Sequence, residues 1–93
     1  MKHYIITKFK KGTDIKSLVG PVRSLFEETL DIPGIHSVDV RPSISDRANR
    51  YDLMIVIGMD PEALPLYDAS APHRRWKEEY GDRMEQKAIF DCE

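Results

Sequence analysis

The residues of this chain that could do chemistry are few, and one histidine has the best position among them. His73 directly follows Pro72 near the start of a predicted helix. An imidazole ring can accept, donate or transfer a proton near pH 7, so His73 is a candidate acid–base residue or hydrogen-bond donor. The alternative is a structural role, in which the ring bonds a loop carbonyl and fixes the turn. The sequence leaves both roles open.

The other histidines and the cysteine do not predict a metal site or a cofactor. The chain has three histidines and one cysteine, with no cluster of carboxylates at ligand spacing. It contains no phosphate-binding glycine loop, no dinucleotide-binding pattern and no nucleophile elbow. His36 alternates with Val38 and Val40, which predicts a partly buried structural residue, and the lone Cys92 is expected to be inert. We therefore expect neither a bound metal nor another cofactor.

Charge and composition argue against nucleic-acid and membrane partners. The 93 residues carry a formal net charge of −2, which gives no overall attraction to anionic polymers or surfaces. The basic run Arg74–Lys77 is followed at once by Glu78 and Glu79, so we expect a solvated helix face with Trp76 turned inward. The longest apolar run, Leu53–Ile57, is far too short to cross a bilayer. Without a signal-peptide pattern, and with a single cysteine, a cytoplasmic protein is expected.

Apolar periodicity predicts one domain over residues 1–93 with the order β-α-β-β-α-β. Alternating or strongly apolar runs predict four strands, over His3–Lys10, Ile35–Arg41, Tyr51–Met59 and Met84–Cys92. This order is that of the ferredoxin-like split repeat, an α+β fold with a four-stranded antiparallel sheet.

Two helical regions fill the gaps between these strands. Apolar residues at helical spacing predict a first helix from Ile15 to Leu30, in which Gly20-Pro21 should cause a kink or a restart. The apolar stripe stays in phase across Gly20-Pro21, which favours one kinked helix over two separate helices. The second region is predicted as a short helix after Asp60-Pro61 and a longer one over Ala71–Tyr80, which Gly81 should end.

The third predicted strand indicates that the chain forms a dimer. Residues Leu53–Ile57 are apolar on both faces of the strand. One layer of helices covers only one face of a four-stranded sheet, so another surface must cover the second face. A homodimer that pairs the sheet faces would supply that cover.

Four segments in order along the chain resemble the stress-responsive dimeric α/β-barrel family, whose members are called Dabb domains. His3–Lys10, with the sequence His-Tyr-Ile-Ile-Thr-Lys-Phe-Lys, resembles the family's opening strand, and Tyr51–Ile57 resembles its central strand. Leu66–His73 is similar to a segment with a tyrosine followed by His-Pro-x-His, and Lys87–Asp91 is similar to the closing strand. The resemblance covers essentially the whole chain. It implies a homodimer whose two sheets face each other as a barrel, with the helices outside.

The resemblance also implies roles for single residues. In a plant member that catalyses an aldol-type polyketide cyclisation, the acid–base histidine corresponds to His73, an assisting tyrosine to Tyr67 and a first-strand histidine to His3. Here Ser70 replaces the first histidine of His-Pro-x-His, and Leu53 stands in place of a further pocket histidine. The candidate catalytic residues are therefore His73, Tyr67 and His3, while the departures argue against a shared substrate. The structural alternatives are a core Tyr67 with its hydroxyl near solvent and a His3 on a polar rim.

Three functions remain open from the sequence. The first is a dimeric barrel that binds a small apolar or phenolic ligand, without an assigned activity. The second is a cofactor-independent lyase or cyclase that uses His73 as its acid–base residue. The third is a monooxygenase-like enzyme of the wider dimeric-barrel group, for which the sequence has no identifiable motif. The fold hosts unrelated functions, so it does not choose among them.

Overall fold

The computed structural model describes all residues, 1–93, and contains four β-strands and three α-helices. The strands are β1 (Lys2–Phe9), β2 (Ile35–Pro42), β3 (Leu53–Met59) and β4 (Met84–Cys92). The helices are α1 (Ile15–Glu27), α2 (Leu64–Asp68) and α3 (Ala71–Tyr80), with short 3-10 turns at Glu28–Asp31, Pro61–Ala63 and Gly81–Arg83. The predicted β-α-β-β-α-β order is confirmed, as is the division of the second helical region into a short and a longer part.

The four strands form one antiparallel sheet in the order β2-β3-β1-β4. The first strand therefore lies in the interior, between the third and the last. In this register His3 is opposite Ile57 of β3 and Asp91 of β4. Because side chains alternate along a strand, the odd-numbered residues of β1 share one face with these partners.

The helices pack on that face and enclose the core. The sheet contributes buried aliphatic side chains from its three first strands, and α1 contributes Leu18, Val22, Leu25 and Phe26. The Trp76 ring of α3 lies edge-on against Phe26, with ring centroids 5.1 Å apart, and also contacts Tyr80. The expectation that Trp76 turns inward is confirmed, since the residue is fully buried. None of the helices is long and apolar enough to span a membrane.

The first helix does not restart at its proline. It runs unbroken from Ile15 to Glu27 with Pro21 inside it. Pro21 cannot donate to the carbonyl of Ser17, but both residues are exposed, so that carbonyl faces solvent. Burial of the apolar stripe on the opposite side of α1 keeps the two halves in one helix.

The third helix ends before Gly81, as predicted. The φ angle of Gly81 is −55°, a right-handed value, and the chain continues into the 3-10 turn rather than a left-handed cap. The left-handed glycines are Gly12 and Gly34, with φ of 90° and 89°. Gly34 lies in the turn before β2, where positive φ requires glycine.

The prediction that His36 is a partly buried structural residue is wrong. The register of β2 against β3 shifts between Ile35 and Ser37, so His36 leaves the regular alternation. Its side chain is exposed, and its Nε2 lies 3.0 Å from a carboxylate oxygen of Asp60. The apolar alternation of β2 gave the wrong burial for His36, because a one-residue bulge moves the residues after it to the opposite faces of the strand.

The face of the sheet opposite the helices is apolar at its centre, and no element of the chain covers it. Tyr4 and Ile6 of β1 lie beside Met54 and Val56 of β3 in the sheet register. On the other side of β1, Tyr4 is paired with Phe90, a residue that is 59% exposed. We call this surface the open sheet face. It corresponds to the second apolar face that the sequence of β3 predicted.

Candidate functional site

A cavity of about 270 Å³ lies between the β1–β4 side of the sheet and helices α2 and α3. Its walls include the three candidate site residues of the sequence, His3, Tyr67 and His73, although these are separated by up to 70 positions. The remaining lining residues are Ile5, Leu64, Asp68, Trp76, Lys87, Ile89 and Asp91. The lining residues of β4 are exposed, whereas Ile5 and Trp76 are buried, so the cavity opens at the β4 edge of the sheet.

His3 is held by a carboxylate from the neighbouring strand. Its side chain lies on the helix-covered face of β1 and is 8% exposed, so it is buried and not on a polar rim. Its Nδ1 lies 2.5 Å from Oδ1 of Asp91, the residue directly opposite in the β1–β4 register. Because an ionised carboxylate can only accept, Nδ1 carries the hydrogen and donates it. In the neutral ring this leaves Nε2 as the proton acceptor.

His73 has the same tautomer for a different reason. Ser70 caps α3, since its hydroxyl oxygen accepts the backbone N–H of His73 at 3.3 Å and its O–H donates to the Tyr67 carbonyl at 2.7 Å. Nδ1 of His73 lies 2.9 Å from the backbone carbonyl of Asp68, which can only accept. Nδ1 therefore donates, and Nε2 is the acceptor of the neutral ring. The structural bond that the sequence allowed is present, and it leaves the second nitrogen uncommitted.

Tyr67 lies between the two imidazole rings. Its ring centroid is 5.4 Å from that of His3 and 4.8 Å from that of His73, at interplanar angles of 60° and 52°. The residue is 1% exposed, and its hydroxyl has no hydrogen-bond partner. This corrects the structural alternative in which the hydroxyl lies near solvent. Burial raises the pKa of the Tyr67 phenol well above its ordinary value, and the negative charge of Asp68 raises it further.

The three rings form a compact proton-handling array. Tyr67 supplies a phenol that stays neutral and can donate, and each histidine offers a basic Nε2 when neutral. Apolar surface from Ile5, Trp76 and other lining residues surrounds these polar groups. Such a combination of an apolar wall and a few placed polar atoms is typical of small-molecule pockets. No group of three or more histidine, cysteine, aspartate or glutamate residues is arranged to hold a metal ion.

Sequence reasoning did not select Asp91 as a site residue. The signal that could have found it is the strand register, because an antiparallel β1–β4 pair with His3 opposite position 91 places both side chains on one face. That register depends on where the two strands begin to pair, which periodicity does not specify. Lys87 and Ile89 enter the cavity wall through the same alternation along β4.

Comparisons with known proteins identify the fold and leave the activity open. No protein-family model and no curated protein sequence matches the chain. Among solved structures, the chain is similar to a dimeric protein of unknown function with a ferredoxin-like fold from Bacteroides fragilis, with a TM-score of 0.81 and 13% identity over 99% of this chain and 93% of that one. A dimeric ferredoxin-like protein of unknown function from Thermobifida fusca has a TM-score of 0.78 and 15% identity, over 96% of this chain and 85% of that one.

A third similar structure has an enzymatic name. It is a candidate antibiotic biosynthesis monooxygenase from Nitrosomonas europaea, with a TM-score of 0.71 and 16% identity over 99% of this chain and 98% of that one. At such identities the similarity concerns the fold alone. The chain therefore has the ferredoxin-like α+β fold of a group of proteins that includes dimers of unknown function.

Proposed function

We propose that residues 1–93 form a single Dabb-type domain that binds a small apolar or phenolic ligand in the cavity between β4 and helices α2 and α3. The observation that carries the proposal is the convergence of His3, Tyr67 and His73 on one cavity of about 270 Å³. Three of the four sequence segments that resemble Dabb domains, His3–Lys10, Leu66–His73 and Lys87–Asp91, contribute residues to this cavity.

The polar atoms of the cavity favour a ligand with a carbonyl or phenol group. The Tyr67 hydroxyl is a buried donor without a partner in the protein, and leaving such a group unpaired costs about 1–3 kcal/mol. A ligand oxygen that accepts this hydrogen bond would recover that energy. The Nε2 atoms of His3 and His73 could accept a hydrogen bond from a ligand hydroxyl, while Trp76 and Ile5 contact its apolar part.

Thermal unfolding in the presence of 4-(4-hydroxyphenyl)butan-2-one, which has both a phenol and a ketone, tests the ligand class. A ligand at ten times its Kd stabilises the folded state by about 1.4 kcal/mol, which raises the Tm of a domain of this size by roughly 6–11 °C. We expect this rise in the unmodified protein and its loss in the His73→Ala variant. His36→Ala is the matched control, because His36 is exposed and does not line the cavity. An equal rise in the His73→Ala variant would place binding elsewhere and contradict the proposal.

The alternative function is a cofactor-independent lyase or cyclase with His73 as the acid–base residue. The free Nε2 of a neutral His73 favours it, since this atom could remove a proton from the carbon beside a ligand carbonyl. Tyr67 would donate a hydrogen bond to the carbonyl oxygen as it becomes an enolate oxygen. Attack of the enolate carbon on a second carbonyl forms the new C–C bond, and the resulting alkoxide takes the proton back from His73. The step needs no oxidant, reductant or metal.

Proton exchange at the ketone separates the enzyme from the binding protein. In D₂O, an acid–base His73 should exchange the protons beside the carbonyl of 4-(4-hydroxyphenyl)butan-2-one faster than buffer does, as followed by NMR. His73→Ala should abolish the excess rate and His36→Ala should not. Binding of the ketone without faster exchange would leave the binding function and refute the catalytic one.

A further alternative is a monooxygenase-like enzyme of the dimeric-barrel group. Its only support is the fold shared with the Nitrosomonas europaea protein. An oxygen electrode tests it directly, because a monooxygenase that acts on a phenol must consume O₂ as the phenol disappears. If the electrode records no O₂ uptake in the presence of the phenol, the monooxygenase function is contradicted.

The same proposal includes a homodimer joined through the open sheet faces. The apolar side chains at the centre of that face include Ile6, Val56 and Phe90, and no helix covers them. Solved structures with this fold from Bacteroides fragilis and Thermobifida fusca are described as dimeric, which supports the same assembly here.

Light scattering of a surface variant tests the dimer. Val56→Asp places a charge at the centre of the open sheet face and should convert the dimer to a monomer at micromolar concentration. Leu66→Asp is the control, because Leu66 is an exposed apolar residue on α2, on the helix side of the sheet. A monomeric unmodified protein, or a dimer that survives Val56→Asp, would defeat this part of the proposal.

A further inference from the structure

The floor of the cavity is a regular patch of the paired strands β1 and β4. Side chains meet there in three cross-strand pairs, His3–Asp91, Ile5–Ile89 and Thr7–Lys87, and all of these residues except Thr7 line the cavity. Consecutive pairs on one face of a sheet are about 6.6 Å apart along the strands, so the first and third pairs are about 13 Å apart. The floor therefore has a polar pair at each end and an apolar pair between them.

The two polar pairs differ in their hydrogen-bond balance. In the first pair, His3 donates to the carboxylate of Asp91. In the third pair, the ammonium group of Lys87 takes part in none of the salt bridges of the chain. The hydroxyl of Thr7 beside it is buried and has no hydrogen-bond partner. The third pair thus holds two hydrogen-bond donors for which the protein supplies no acceptor.

The proton-handling array lies over the first pair. The Tyr67 ring is in contact with His3, with ring centroids 5.4 Å apart, and with His73, with centroids 4.8 Å apart. The array therefore occupies the end of the cavity opposite Lys87, and the apolar pair of the floor lies between them. A ligand that contacts both ends has a phenol or carbonyl at one end, an apolar body, and a hydrogen-bond acceptor at the other end.

The charges of the cavity wall favour a singly charged anion as that acceptor. Lys87 is the only lysine or arginine of the lining, and its carboxylates are those of Asp68 and Asp91. Asp91 is about 13 Å from Lys87, which exceeds the Debye length of about 8 Å at physiological ionic strength. The backbone carbonyl of Asp68 bonds His73, so Asp68 also lies at the array end. One carboxylate would balance the charge of Lys87, whereas a doubly charged phosphate would add a net negative charge to a wall that already carries two carboxylates.

We propose that Lys87 selects a phenolic carboxylic acid by pairing with its carboxylate, while the phenol of the ligand lies beside Tyr67 and the two histidines. This inference rests on the proposed ligand-binding function and narrows its ligand class to phenolic acids. Lys87 lies at the exposed β4 edge of the cavity, where solvent weakens an ion pair. It therefore sets a preference among ligands that the rest of the cavity binds.

Calorimetric titration with two matched ligands tests the role of Lys87. In 3-(4-hydroxyphenyl)propanoate, a carboxylate oxygen replaces the methyl group of 4-(4-hydroxyphenyl)butan-2-one, and the rest of the molecule is the same. We expect the acid to bind about fivefold more tightly than the ketone, the upper range for an exposed ion pair. Lys87→Met should remove this preference and leave the Kd of the ketone nearly unchanged. Lys77→Met is the matched control, because it removes the same charge from an exposed residue of α3 that does not line the cavity.

Two further measurements separate an ion pair from a structural effect of the substitution. Raising the NaCl concentration should weaken binding of the acid and leave binding of the ketone unchanged, because salt screens an exposed charge pair. Lys87→Glu should reverse the preference, so that this variant binds the ketone more tightly than the acid.

The outcomes distinguish this inference from the proposed function on which it rests. If the ketone binds the unmodified protein and the acid binds no more tightly, or if Lys87→Met keeps the preference for the acid, the role of Lys87 is overturned and the ligand-binding function stands. If neither ligand binds the unmodified protein, both are overturned.

Discussion

The buried hydroxyl of Tyr67 allows a prediction in which stability and ligand binding change in opposite directions. Tyr67→Phe removes an oxygen that has no hydrogen-bond partner and leaves the ring between His3 and His73. An unsatisfied buried hydroxyl costs about 1–3 kcal/mol. The void left by one oxygen, about 15 Å³, costs only about 0.4 kcal/mol. We therefore expect the free energy of unfolding to increase by about 1–2 kcal/mol.

Urea unfolding at a fixed protomer concentration measures this change, because the stability of an associating chain depends on its concentration. The corresponding rise in Tm is about 4–8 °C per kcal/mol. Tyr80→Phe is the control, since the Tyr80 hydroxyl is not a buried unpaired atom, and it should leave the stability nearly unchanged. The same Tyr67→Phe protein should bind 4-(4-hydroxyphenyl)butan-2-one about 5-fold more weakly, as one neutral hydrogen bond is worth roughly 1 kcal/mol. A Tyr67→Phe protein less stable than the unmodified one would refute the reasoning, because it would mean that the hydroxyl has a partner.

Three further changes have defined outcomes. The fold raises the pKa of the Tyr67 phenol above its ordinary value of 10.0, so the phenol loses its proton more easily in the unfolded chain than in the folded one. This group should therefore leave the free energy of unfolding unchanged below pH 10 and lower it by about 1.4 kcal/mol per pH unit above pH 10. Urea unfolding at alkaline pH should record this fall, and the fall should be shallower in Tyr67→Phe. Trp76→Ala empties a fully buried site and should cost about 3–5 kcal/mol, measured by the same unfolding assay; a loss below 1 kcal/mol would contradict the packing. Gly34→Ala should lower the free energy of unfolding, because φ of Gly34 is +89° and the new Cβ would lie 3.0 Å from Cβ of Ala63. Gly20→Ala in α1 should raise it by about 0.5–1 kcal/mol, because the new Cβ meets nothing within 4 Å and alanine favours the helix. Equal effects of the two alanines on Tm would contradict this explanation.

The secondary structure was largely predictable because it depends on local periodicity. The alternation in β1 places Ile5 and Phe9 on one face of the strand, and the structure buries both of them under the helices. The prediction for His36 failed where one residue changes the local geometry, because the bulge before Ser37 exposed its side chain. Such a bulge cannot be derived from the apolar pattern, which does not specify where the strand register shifts. The first helix is the opposite case: its apolar stripe stays in phase across Gly20-Pro21, which favours one helix over two, and α1 runs through Pro21.

The candidate site was also predictable from the sequence only in part. The sequence by itself determined the fold class, the twice-apolar β3 and the residue types that carry proton chemistry, since these follow from composition, spacing and resemblance. Only the tertiary structure brought His3 and His73 onto opposite sides of Tyr67 and paired His3 with Asp91. The physical reason is that these contacts depend on strand register and on the packing of α2 and α3 against the sheet, which join positions far apart along the chain. The candidate residues were therefore visible in the sequence, while their tautomers and the buried hydroxyl at their centre depend on the fold.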